Sequence, residues 1–226
     1  MNKNNWFIFF TIFIFAFAAN YALAQVNDAG VWASINVEKK INSKVALQLS
    51  EEVRFNENVS EVGTAFTEIG ANYKLSKYIA VGVSYRFIQK RKVDDFYSFR
   101  HRYNVDVAFK YKYKKLSMSL RERLQTQYAN VNSSEDGKVA TRYLRNKLTL
   151  KYNLERKYTP FVAGELFYQL TNVEGNEFDN VRYTVGVDYE INKKVSLELF
   201  YLINKEFNTN NPVTDYVSGF GFTYTF

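Results

Sequence analysis

Few residues in this chain could do chemistry. His101 is the only histidine, and no cysteine is present. A serine hydrolase would need a hydroxyl within reach of that imidazole and a third group to orient the ring. Ser98 stands three residues before His101, and Ser84 lies on the preceding apolar segment. Nothing in the spacing obliges either to meet the ring, so His101 is a weak catalytic candidate. The chain shows no Cys/His metal spacing, no phosphate-binding glycine loop and no nucleophile elbow. No metal and no cofactor are expected.

Charges at alternate positions form a larger set. Arg54, Glu68, Arg86, Arg102 and Asp106 each sit opposite an apolar run, as do Arg121, Arg123, Arg145, Glu165 and Asp188. In extended chain, alternate residues share a face, so these ten would line one surface. An excess of Arg and Lys there could attract anionic solutes. Alternatively, an Arg/Glu network could fill the enclosed space, and that reading is the favoured one. Three polar residues break the apolar face: Glu51, Glu122 and Asn146. They are expected at an outer boundary, or turned inward by a bulge. A polar patch for a partner on the outer face is the sharper alternative.

These charges need strands to carry them, and period-2 segments recur along the whole chain. Val45, Leu47, Leu49, Val53 and Phe55 share one face, with Gln48, Ser50, Glu52 and Arg54 on the other. Ile79 to Phe87, Tyr103 to Tyr111, Leu116 to Leu124 and five later segments repeat the pattern. Connections alternate between short Lys/Asn turns, such as residues 40–44 and 191–194, and longer polar loops, such as 130–138 and 205–212. About eleven segments are present. The first, 31–38, would be either an irregular lead-in, leaving ten strands, or one of eleven or twelve.

The beginning of the chain sets the compartment. Met1-Asn2-Lys3, an apolar run from Trp6 to Phe17 and Ala22-Leu23-Ala24 have the layout of a secretory signal peptide, residues 1–24. The mature chain, 25–226, then carries 29 Lys and Arg against 23 Asp and Glu, a net +6. Aromatics make up 18 % of residues while mean hydropathy is only -0.33. That mixture suits strands facing lipid on one side and a polar lumen on the other. The expectation is an all-β fold: a single antiparallel transmembrane β-barrel of about 10–12 strands in the outer membrane of a Gram-negative cell. Its basic residues lie in strands and turns, so nucleic acid is not an expected partner. Outer-membrane lipids and lipopolysaccharide are. Phe220, Phe222, Tyr224 and Phe226 end the chain on an aromatic strand. Such an ending resembles the signal read by the barrel-assembly machinery.

Several stretches resemble a known family: Gly30-Val31-Trp32, the Lys-Lys-Ile-Asn turn at 39–42, Arg100-His101-Arg102-Tyr103-Asn104 and Ser119-Leu120-Arg121-Glu122-Arg123. They look like an uncharacterised outer-membrane β-barrel family, a domain of unknown function, over essentially the whole mature chain. The resemblance implies location and fold and carries no chemistry. The function expected is therefore a structural barrel or a narrow, weakly anion-preferring pore. One alternative is a lipid-modifying hydrolase using His101. Outer-membrane enzymes of that kind resemble one another in placing Ser two residues after His, where this chain has Tyr103. The other alternative is a scaffold that binds partners through its longer loops.

Overall fold

The computed structural model describes residues 26–92, 96–129, 140–172 and 175–226. The expected signal peptide, 1–24, and the loop 130–138 lie outside these. Eleven strands follow one another among the described residues. They are β1 (Val26–Lys40), β2 (Val45–Asn56), β3 (Glu61–Lys74), β4 (Ile79–Arg91), β5 (Tyr97–Tyr113) and β6 (Leu116–Ala129). Then come β7 (Thr141–Tyr152), β8 (Tyr158–Gln169), β9 (Glu177–Glu190), β10 (Val195–Glu206) and β11 (Val213–Thr225).

Each strand pairs antiparallel with the next, and β1 pairs with β11 to close a barrel without free edges. Closure by an odd number of strands forces the first and last to run the same way. The β1–β11 seam is accordingly parallel, in register from Val26↔Val213 to Glu38↔Thr225. Of the strand counts left open, eleven holds. The first segment is a full wall strand paired on both sides, not a lead-in. The barrel is also antiparallel at every junction except this one. The amide of Phe226 extends the seam by donating to the Glu38 carbonyl at 2.9 Å.

Local chemistry sets the turns. The Asn42 side chain accepts from the amides of Lys44 and Val45, both at 2.8 Å, and so closes the turn between β1 and β2. Asn192 does the same for Lys194 and Val195 between β9 and β10. An Asx turn of this kind replaces missing backbone bonds and explains the repeated Lys/Asn turns. At the opposite end, the connection between β2 and β3 is a tight turn, not the long loop expected. Glu57, Asn58 and Val59 all adopt positive φ. Asp28 holds them by accepting from the amides of Glu57 and Asn58 at 3.0 and 2.8 Å.

The two faces differ sharply. Every strand contributes large apolar side chains to the outside, from Ile35 on β1, 57 % exposed, to Leu199 on β10 and Phe220 on β11. Tyrosines such as Tyr73, Tyr78, Tyr111, Tyr152 and Tyr158 stand exposed near the short-turn end, with Tyr97 and Tyr128 toward the loops. The inside carries the charges and one apolar layer. In that layer aromatic and glycine residues alternate across paired strands: Trp32↔Gly219, Gly219↔Phe200, Phe200↔Gly186 and Gly186↔Phe161. Phe161 lies over Gly186 and Phe200 over Gly219. A Cβ on Gly186 would meet Phe161 Cζ at 2.6 Å. Large next to small is how a curved interior wall is filled.

Candidate functional site

The strongest candidate for function is the lumen. It holds two cavities, of about 910 and 770 Å³, which share Asn36, Glu52, Arg86, Arg121, Arg123 and Lys147 in their linings. The larger extends toward the loops, where Lys90, Asp179 and Glu206 line it. The smaller extends to the turn end, reaching Asn42, Lys44 and Lys74. The interior is thus neither solidly filled nor wide and clear.

The expected charge residues meet there. Arg123 grips Asp106 with a two-pronged contact, Nε to Oδ1 at 2.6 Å and Nη2 to Oδ2 at 2.7 Å. That planar fork is the geometry guanidinium and carboxylate favour. Arg86 Nε donates to Glu68 at 2.7 Å, Arg54 to Glu52 at 2.5 Å, and Lys151 to Asp188 at 2.5 Å. Glu165, only 3 % exposed, receives Arg121 at 2.7 Å and Arg145 at 2.8 Å, with Arg182 at 4.0 Å. Arg102 is the exception among the ten. It donates to Gln127 Oε1 from Nε at 3.0 Å and Nη2 at 2.6 Å, a neutral acceptor.

Aromatic faces hold the arginines in place. The Arg54 guanidinium lies 3.7 Å from the Trp32 ring centroid and Arg86 lies 3.6 Å from that of Phe66. Arg145 stands over Phe167 at 4.3 Å, and Arg182 lies between Trp32 at 5.1 Å and Phe167 at 5.3 Å. Joined by the 5.2 Å contact of Arg54 with Phe66, these form a ladder: Arg86, Phe66, Arg54, Trp32, Arg182, Phe167, Arg145. It runs from β4 back to β1, then crosses over β11 and β10 to β9, β8 and β7. Stacking a guanidinium on a ring stabilises it by about 0.5–2 kcal/mol and fixes where its donors point. The charge alternation leaves Trp32, Phe66 and Phe167 unassigned, because interior aromatics break the apolar-out rule. Two interior hydrogen bonds are also invisible at that level, Arg145 to Gln125 at 2.9 Å and Tyr143 to Asp179 at 2.8 Å.

His101 stands elsewhere. It shares the outer face of β5 with Phe99, Tyr103 and Val105, and its Nδ1 lies 2.7 Å from the Tyr85 hydroxyl. Tyr85 and Phe87 flank the ring. Ser84 and Ser98 face inward instead: Ser84 accepts from Asn104 at 3.0 Å, and Ser98 donates to the Lys90 carbonyl at 3.2 Å. The barrel wall therefore separates both serines from the imidazole.

Glu51, Glu122 and Asn146 lie on the outer face. Each is the seventh residue from the turn end of its strand, well short of the loop boundary. Among the described residues register shifts occur only at Arg54/Phe55 and Phe167/Tyr168, so no bulge turns these side chains inward. The bulge reading is thus corrected: the three side chains stay on the outer face. Local bonds satisfy them instead: Thr67 donates to Glu51 at 2.9 Å, and Asn146 donates to Glu122. At the end of β11, Phe220 and Phe226 are exposed outside, and Tyr224 packs edge-on to Phe226 at 4.7 Å.

Among solved structures, the chain is similar to the crystal structure of the beta domain of the Bordetella autotransporter Brka. The TM-score is 0.50 at 9 % identity, covering 78 % of this chain and 82 % of that one. The likeness concerns the fold. No curated protein matches the chain. A family model matches residues 29–215, which spans the wall from β1 into β11, and the chain belongs to that family, described as "Protein of unknown function (DUF2490)".

Proposed function

We propose that this chain is an integral outer-membrane β-barrel, exported through cleavage of residues 1–24, whose lumen is a narrow and weakly anion-preferring conduit. One observation carries the reading: an apolar outside contributed by every strand around a charged, partly hollow inside. Soluble proteins rarely expose a contiguous apolar patch beyond a few hundred Å². Moving ten half-exposed Leu or Val side chains from water to lipid is worth on the order of 10 kcal/mol. That rivals the whole stability of a typical domain, about 5–15 kcal/mol. An apolar surround removes the conflict. The strands, 12 to 17 residues long, exceed the 9–11 or so needed to cross a bilayer at a tilt. The tyrosines toward both ends suit the lipid boundary.

The direction of selectivity follows from the lining. Ten Arg and Lys against five Asp and Glu border the larger cavity among the described residues. Glu68, Asp106 and Asp188 offset three of those cations from just outside it, so the preference is weak. The aromatic end of β11 is the segment offered to the barrel-assembly machinery, and lipids and lipopolysaccharide are the partners of the outer wall. The separation of His101 from Ser84 and Ser98 gives a hydrolase reading no support.

Expression in a Gram-negative cell tests the location. The protein should sediment with outer membranes, resist extraction by urea at alkaline pH, and begin at Gln25 by mass. Recovery as a freely soluble periplasmic protein would contradict the reading.

A further inference from the structure

We propose that the lumen layer around Glu165 and Arg102 is a binding site for a compact polyanion, a solute carrying at least two phosphate or carboxylate groups. The proposal rests on reading the lumen as open to solute. Its first support is an imbalance of charge. A single carboxylate, Glu165, serves Arg121, Arg145 and Arg182, which leaves two positive charges over. Lys147 adds a third, paired directly across the ladder with Glu165. Among the described residues Arg102 has only the neutral amide of Gln127, and the charged groups acting on it most strongly are Arg86, Arg145, Arg54 and Arg123.

Of the other carboxylates lining this chamber, Glu52 is taken up by Arg54, Glu198 lies across the ladder from Asp188, the partner of Lys151, and two are engaged nearer the loop end. Asp179 accepts from Tyr143 near the loop end of β9, and Glu206 accepts from the Val213 amide at the end of β10. Like charges gathered in a confined space are costly unless paired. The layer therefore keeps a surplus of positive charge that a bound anion would offset.

Geometry favours a polyanion over a halide. Stacking on Trp32 and Phe167 fixes where the forks of Arg54, Arg182 and Arg145 point. Guanidinium forks match the paired oxygens of phosphate and carboxylate. The buried Nε of Arg121 has no hydrogen-bond partner among the described residues. The chamber, about 910 Å³, has the size of a small-molecule site and far exceeds the needs of chloride.

Trp32 provides the readout, being the only tryptophan after residue 24 and stacked on Arg54. Purified protein refolded into detergent micelles is titrated with pyrophosphate, citrate, acetate and chloride at matched ionic strength, and Trp32 fluorescence is followed. Saturation is expected for pyrophosphate, citrate or both, with a midpoint at least about tenfold below those of acetate and chloride. Which of the two saturates separates a phosphate-bearing from a carboxylate-bearing ligand. Arg102→Gln on β5 and Lys147→Gln on β7, each confirmed as closed barrels by heat-dependent gel mobility, should each raise that midpoint by about tenfold.

If the polyanions merely track chloride, the site does not exist. Unchanged midpoints in both folded variants would overturn it as well. A bilayer recording separates this proposal from the pore. Saturable binding in a barrel that does not conduct removes the conduit and keeps the site. Anion conductance with no saturation removes the site and keeps the conduit.

Discussion

The ring of Phe200 occupies the space that a Cβ on Gly219 would need. The two residues are cross-strand partners on β10 and β11, and Gly219 in turn pairs with Trp32 across the parallel seam. Bare backbone at 219 therefore lets one aromatic layer continue past the point where the barrel closes. Gly219→Ala should destabilise the barrel by about 1–3 kcal/mol, the usual cost of overpacking. Adding Phe200→Ala should recover part of the loss by removing the obstructing ring. Urea unfolding in lipid vesicles measures both, and equal stability of Gly219→Ala and the native chain would rule out the packing described.

Glu165 ties together arginines from β6, β7 and β9. Replacing it with Gln keeps the shape and removes the charge that three guanidiniums share. A loss of about 3 kcal/mol is expected, since an uncompensated buried charge costs more than its pair contributes. The double variant Glu165→Leu with Arg145→Leu should lose less than the two single losses added together. Additive losses in the same unfolding assay would mean that the residues act independently.

The outward pairs Glu51–Thr67 and Glu122–Asn146 sit at mid-strand on an apolar face. On a wall that faces lipid as proposed, a carboxylate far from both strand ends is unfavourable even when one bond satisfies it. Glu122→Leu combined with Asn146→Leu should raise stability in vesicles by about 1–2 kcal/mol. A fall in stability, or loss of an associated protein on purification from membranes, would show that this face meets something other than lipid.

The last residue belongs to the wall. Phe226 donates its amide to Glu38 on β1 and packs on Tyr224. Deleting Phe226, or adding a long polar tail after it, should lower the yield of assembled barrel several-fold. Heat-dependent gel mobility of membrane fractions measures this, and normal assembly of both variants would show that the closing strand needs no such ending.

Much of the wall was legible in the chain because one face must be apolar and the other polar, which writes a period of 2 into every strand. The expected residues Arg54, Glu68, Arg86 and Arg123 follow from that period alone, and the structure brings them into one lumen. The closure was not legible. Alternation within a strand says nothing about which strand lies beside β1, so the parallel seam and the approach of Arg182 to Trp32 arise only when the sheet curls shut. The interior aromatics were hidden for a related reason. Phe161 and Phe200 face inward only because Gly186 and Gly219 stand next to them on neighbouring strands, far away in sequence. The alternation alone left open whether Glu51 and Glu122 face outward or are turned in by a bulge; the structure keeps both on the outer face, each bonded to the adjacent strand.

Ion selectivity of the purified protein in a planar bilayer decides whether the lumen conducts as proposed. Under a potassium chloride gradient, small uniform steps should appear, with a reversal potential displaced modestly toward that of chloride. Arg102→Glu should move it toward that of potassium, because Arg102 lines the chamber with no carboxylate partner among the described residues. A membrane that stays electrically silent, or steps that favour potassium in the native protein, would contradict a narrow anion-preferring conduit.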